Sequence, residues 1–295
     1  MAWVTVDALG RHWEPARVDA TLHPARSLVT VATTNVVALT LELPPEPAPF
    51  DPDRPIAVEL DGARLEAGRL RSDRSWRAEF HRDPGEASWR LGPLPADGLR
   101  KRHGLQGPID DAFLGLFLFV RPTGTPLNPI VGSWASNELA RAVGEWRRHY
   151  RGDVRIKSDT EVTDADFAAH HVVLWGDPAS NAVLGRMADR LPIRWDATGV
   201  HRPGRDYGNT SSNHAPILIY PNPLNPRRYV VVNSGFTFRE YDYLNNARQT
   251  PKLPDWAIVD LSRPPNSRHP GAIVDAGFFG ERWEWQAPPT LPLPP

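Results

Sequence analysis

Ser234 lies in VVVNSGF, after a strand-like run and directly before a glycine. A serine at such a turn is where an α/β hydrolase exposes its nucleophile. With His214 as base and Asp206 or Asp242 as the orienting acid, it would complete an independent esterase or peptidase. That chemistry needs a hydroxyl, an imidazole and a carboxylate in hydrogen-bond series. Two features oppose this. No serine sits in the Gly-x-Ser-x-Gly pattern, and FTFREYDYL after Ser234 does not open as a helix. Ser234 therefore reads as a turn serine, and the catalytic set reads as empty.

A second candidate is the turn in HVVLWGDPASNAVL, residues 171–184. An apolar run ends in Gly-Asp-Pro and a helical segment follows. In an open parallel sheet, ligands sit beyond the carboxyl ends of the strands. Asp177, Ser180 and Asn181 would stand there, beside helix N–H groups that could receive an anion or a sugar. Asp177 would repel a phosphate, however, and its carboxylate can cap the helix, with Pro178 in the first turn. Capping is the preferred reading. The long polar loop 201–216 adds Arg205 and Tyr207, with Arg202, Asp206 and His214, as a binding surface.

Other chemistries have weaker footing. There is neither a Gly-x-Gly-x-x-Gly nor a Gly-x4-Gly-Lys loop, so no nucleotide cofactor is expected. Adjacent His170 and His171 would point to opposite faces of a strand, and no metal site is expected. Asp110-Asp111 reads as the start of a strand. Asp164 and Asp166 read as a helix start, where acidic groups suit the dipole. Asn209-Thr210-Ser211 fits the glycosylation pattern, which matters only in a suitable host. The chain has 11 tryptophans. An exposed row of Trp76, Trp89 or Trp283 would suit a carbohydrate- or peptide-binding module, whereas buried ones would be core.

The elements that must position these residues fall into two groups. Residues 1–98 read as a small β-sandwich-like module, because WVTVDAL, ARVDATL, SLVTVATTNVVALTLEL and PIAVELDG carry β-branched residues in alternating or continuous apolar runs. Asp61-Gly62 predicts a hairpin turn, and a short helix is predicted near Val6 to His12. Residues 99–108, LRKRHGLQGP, read as a linker. Residues 109–286 read as a three-layer α/β domain with a mixed sheet. Strand-like AFLGLFLFV, DVRIKSD and HVVLWG alternate there with helix-like WASNELARAVGEWRRHY, DADFAAH and ASNAVLGRMADRL. Ser136 is the expected N-cap of the first helix, with Leu139, Val143, Trp146 and Tyr150 as its apolar stripe. Residues 287–295, PPTLPLPP with the preceding alanine, read as an extended proline-rich tail.

Composition narrows the partners. Net charge is -1, so nothing pulls the chain broadly toward nucleic acid or anionic membrane. There are no cysteines, which excludes disulfides and thiolate sites and leaves the compartment open. No apolar run approaches the ~20 residues that span a bilayer. The start, MAWVTVDALGRHW, lacks the basic and apolar regions of a signal peptide and reads like the inside of a strand, as in a piece of a longer protein.

Several segments together resemble the region after the catalytic domain in large bacterial prolyl-oligopeptidase-like serine hydrolases. They are WVTVDALGRHWEPARVDA, TVATTNVVALTLEL, GPIDDAFLGLFLFVRPTG, VVLWGDPASNAVLGRMADRLPIRW and ILIYPNPLNPRRYVVVNSG. The resemblance implies a flavodoxin-like second domain, export, and a parent enzyme acting on peptides or esters. The family's nucleophile, acid and histidine would precede residue 1, so none of them maps onto this sequence. The chain is then a non-catalytic accessory region serving docking, substrate access or assembly. Its expected partners are a hydrolase domain, upstream or in another subunit, and a second copy of itself.

Overall fold

The computed structural model describes residues 2–45, 48–208 and 213–286. The Asn209-Thr210-Ser211 triplet and the tail 287–295 lie outside the described residues. The chain is a mixed α/β protein with more strand than helix. It divides into two units: Met1–Arg102 with Gly280–Arg282, and His103–Phe279 with Trp283–Pro295.

The first unit has eight strands among its described residues: β1 Val4–Leu9, β2 Arg17–His23, β3 Leu28–Thr34, β4 Val36–Leu43, β5 Ala57–Leu60, β6 Ala63–Glu66, β7 Trp76–His81 and β8 Arg90–Leu91. They form two sheets, ordered β1-β4-β7-β8 and β2-β3-β5-β6. Leu39 and Leu41 of β4 and Trp76 and Phe80 of β7 share one apolar cluster with Val29 and Val31 of β3 and Val58 and Leu60 of β5. The hydrophobic effect therefore closes the two sheets over a common core. Asp61 and Gly62 both take positive φ, 47° and 85°, in the two-residue β5–β6 hairpin. The helix expected at Val6 to His12 is not formed. Val4, Val6 and Ala8 alternate with polar neighbours, and that period of two pairs the segment antiparallel with β4.

The second unit holds a seven-stranded sheet of order β10-β9-β11-β16-β15-β17-β18. Its strands are β9 Phe117–Arg121, β10 Ile156–Ser158, β11 His171–Leu174, β15 His214–Asn222, β16 Asn225–Val232, β17 Trp256–Asp260 and β18 Ala272–Gly277. A smaller three-stranded sheet comprises β12 Arg194–Asp196, β13 Gly199–Arg202 and β14 Arg205–Tyr207. β10, β9, β11 and β16 run parallel, and β15, β17 and β18 extend the sheet antiparallel. Helices α1 Pro129–Tyr150 and α2 Asp164–Ala169 occupy the crossovers between parallel strands, and α3 Ala182–Met187 leads from β11 to the small sheet. The chain passes from β9 out to β10, then returns to β11 on the other side of β9. The crevice between the carboxyl ends of β9 and β11 is therefore a topological switch point.

Two local expectations are corrected here. α1 begins at Pro129, and its N-cap is Asn128, whose side chain accepts from Ile130 N at 2.8 Å. Asn-Pro is a stronger start signal than Ser136, because proline fixes φ and needs no N–H donor there. Ser136 lies inside the helix and returns its hydroxyl to Gly132 O. The buried face is Val131, Trp134, Ala135, Glu138 and Ala142, offset from the predicted stripe. Asp110-Asp111 starts no strand: both lie in the 3-10 segment Ile109–Leu114.

Candidate functional site

The switch-point crevice is built from the loop after β9, the N-terminus of α1 and the turn after β11. A cavity of about 100 Å³ opens there, lined by Leu127, Asn128, Val131, Asp177, Trp195 and Asp196. Gly176 takes φ +96°, which turns the chain sharply, and a side chain there would strike Ser180 Oγ. Gly124 brings the β9 loop so close that a Cβ would lie 2.9 Å from Ala179 O.

The polar side chains of the turn are spent on the chain itself. Asp177 is fully buried. Its Oδ2 accepts from Leu127 N at 2.8 Å, and its Oδ1 from Ala179 N at 3.0 Å and Ser180 N at 2.8 Å. Ser180 Oγ accepts from Asp177 N and donates to Asp177 O. Asn181 caps α3: its Oδ1 accepts from Val183 N and Leu184 N, and its Nδ2 donates to Val120 O and Trp175 O. The helix cap is thus Asn181 rather than Asp177, and Pro178 stands outside the helix. The carboxylate instead clamps the β9 loop against the β11 turn. Asn233, which the sequence reading passed over, completes the closure. It accepts from Gly176 N at 2.9 Å and donates to Gly176 O at 3.0 Å, joining the ends of β11 and β16.

The predicted catalytic residues are dispersed. Ser234 Oγ donates to Gly235 O at 2.8 Å. His214 packs its ring on Tyr207, with Nδ1 buried and unpartnered. Asp242 accepts from Arg239 N and faces Lys252, while Asp206 lies on β14. The binding candidates Arg205 and Tyr207 converge on Asp275 of β18: Tyr207 donates to it, and Arg205 Nη1 lies 3.8 Å away. Arg202 joins them through two donated hydrogen bonds. These contacts pin the small sheet onto β18. Trp76, Trp89 and Trp283 are all buried and offer no open face for stacking.

One hydroxyl–imidazole–carboxylate set does converge, at residues the sequence reading did not combine. Thr198 Oγ1 lies 2.9 Å from His201 Nε2, and His201 Nδ1 lies 2.7 Å from Asp206 Oδ1. A second carboxylate competes for the hydroxyl, with Asp196 Oδ1 at 2.5 Å from Thr198 Oγ1 and 2.8 Å from Thr198 N. The Thr198 hydroxyl bond, then its backbone bond, holds the Asp196 carboxyl below its ordinary range. The hydroxyl has one proton, and this carboxylate claims it. With Nδ1–H donated to Asp206, a neutral ring offers Nε2 only as an acceptor, and the single hydroxyl proton cannot serve both Nε2 and Asp196. Asp206 is 72% exposed, which further weakens the set. The pairing was within reach of sequence reading: RWDATGVHRPGRDY contains two turn signals, Ala-Thr-Gly and Pro-Gly, that place His201 opposite Asp206.

Two ionisable groups, a half-buried one in the 3-10 segment before β9 and a buried one at the start of β11, have shifted titrations. Burial pushes the Asp110 carboxyl up to about 6 despite hydrogen bonds from Thr237 Oγ1 and N. Burial, then Arg228, pushes the His171 imidazole down to about 4. His171 Nδ1 accepts from Tyr229 N at 2.9 Å, which suits the neutral ring. Asp110, raised above its unfolded value, contributes stability at low pH that is lost as pH climbs toward 6. His171, lowered, contributes stability above 6.5 that is lost as pH falls toward 4. Each effect amounts to about 2–3 kcal/mol, so the two nearly cancel between pH 4 and 6. Urea unfolding from pH 4 to 7 should therefore show Asp110→Asn losing stability on acidification relative to the parent. His171→Asn should lose it on alkalinisation. Parallel curves for all three proteins would refute the assignment.

No protein-family model, curated protein or solved structure matches the chain.

Proposed function

We propose that the chain is a non-catalytic accessory region serving a serine hydrolase of the prolyl-oligopeptidase-like kind. In this reading the first unit is a small β-sandwich and the second a flavodoxin-like α/β module. Its work is docking, shaping substrate access or assembly. The observation that supports it best is the fate of Asp177, Ser180 and Asn181: each polar atom that could greet a ligand at the switch point binds the chain to itself. Exposed Leu114 and Leu116, at 86% and 53%, are available for apolar contact with a partner just before β9.

A second reading, an independent hydrolase, has one specific observation in its favour, the Thr198–His201–Asp206 set. A single experiment separates the two. The purified chain is incubated with a fluorophosphonate probe and assayed on p-nitrophenyl esters and proline-containing peptides. The accessory reading expects no stoichiometric labelling and no turnover above buffer. Labelling mapped to Thr198 or Ser234, with turnover that the matching alanine variant abolishes, would establish the hydrolase instead.

A further inference from the structure

A larger cavity, about 230 Å³, lies in the second unit beside the segment that follows β16. Thr237, Tyr241, Asp242, Lys252, Arg268 and Ile273 contribute to its walls. Its volume falls below the ~300–1,000 Å³ usual for drug-sized ligands, so it suits a small molecule.

Its charge is lopsided. Asp242 is buried, and its oxygens are engaged by Arg239 N at 3.2 Å and Lys252 Nζ at 3.4 Å. Two further cations stand against one ring. The Arg268 guanidinium lies 3.7 Å from the Tyr241 ring centre, and that of Arg248 lies 5.2 Å from it. Neither guanidinium forms an ion pair among the described residues. Two of these cations, Lys252 and Arg268, line the cavity, whose one carboxylate is already occupied; Arg248 stands behind them on the Tyr241 ring. Stacking fixes a guanidinium by its face and leaves its N–H edge free for a planar oxyanion. Loop 266–269 is held in place for this: Tyr241 N donates to Ser267 O at 3.0 Å, and Asn266 Oδ1 accepts from Arg268 N and His269 N. Leu253 and Ile273 supply an apolar wall.

We infer that this cavity binds a small organic carboxylate, with the anionic group between Lys252 and Arg268 and a short apolar body against Leu253 and Ile273. The inference is independent of the accessory-region reading, because it rests on residues 237–273 alone. The carboxylate belongs either to a free acid or to a peptide's chain end.

Calorimetric titration of the full chain at low ionic strength tests this, with benzoate, its uncharged isostere benzamide, N-acetyl-leucine and inorganic phosphate as probes. Benzoate or N-acetyl-leucine should saturate with a millimolar or tighter Kd. The tighter of the two identifies the free acid or the chain end as the source. Benzamide and phosphate should bind at least tenfold more weakly, one lacking the charge and the other the apolar body. Arg268→Gln should weaken the carboxylate about tenfold with an unchanged Tm, and Arg268→Lys by less. Equal binding of benzamide, equal binding of phosphate, no saturation with either carboxylate, or an Arg268→Gln variant that binds like the parent would each overturn the assignment.

Discussion

Asp177→Ala should destabilise the second unit by about 2–4 kcal/mol, because it strands one buried and two part-buried donors, at about 1–3 kcal/mol for a buried donor left unsatisfied and less where water can reach. The carboxylate, itself without solvent exposure, accepts from the buried Ser180 N–H and, in part-buried bonds, from the Leu127 and Ala179 N–H groups. A truncated side chain leaves all three without an acceptor. Asp177→Asn is the sharper test. An amide has one oxygen, so it can serve Ala179 and Ser180 or Leu127, but it turns an N–H₂ donor toward whichever remains. Its cost should fall between the parent and the alanine variant, and it should loosen one loop selectively. Urea midpoints give the energies, and amide exchange at Leu127 and Ser180 shows which loop opens. A midpoint shift below about 1 kcal/mol for the alanine variant would mean that the clamp contributes little.

The second large effect is at the buried pair Glu138–Arg239. Arg239 donates Nη1 to Glu138 Oε2 at 2.7 Å and Nη2 to Oε1 at 3.0 Å, with side-chain exposures of 7% and 10%. Its Nε donates to Asn266 O, so one side chain ties α1 to two later loops. Glu138→Leu leaves the guanidinium desolvated beside only Glu240, 3.9 Å from Nε and 39% exposed. Breaking one side of a buried pair costs about 3–5 kcal/mol. Replacing both, Glu138→Leu with Arg239→Met, should recover most of that loss, since the stranded charge is then gone. A double variant no more stable than Glu138→Leu alone would show that Arg239 matters for its bond to Asn266 instead. The double-mutant cycle reads the difference directly.

How much was legible in the sequence follows from the range of each interaction. The β11 strand and the Asp61-Gly62 hairpin rest on neighbours a few residues apart, and both stand in the structure. The start of α1 is local as well, but it is carried by the dipeptide Asn128-Pro129, and residue type alone makes Ser136 an equally good cap. Asp110-Asp111 could not be read locally. Its geometry comes from Thr237 and Tyr229, more than a hundred positions away. The buried partnership of Glu138 was hidden for the same reason, because a glutamate in a helix gives no sign of an arginine on a distant loop. The convergence of Thr198, His201 and Asp206 was readable in principle, once β13 and β14 are seen as a hairpin.

The borders of the seven-stranded sheet bear on behaviour in crowded solution. On one side, β10 is three residues long and carries Lys157 at its centre. On the other, Asp275 of β18 is covered by Arg202 and Tyr207 from the small sheet. A brief, charged margin and a guarded one leave little bare backbone for a second molecule to copy. Edge-to-edge growth of the kind that ends in aggregates is thereby disfavoured at this sheet.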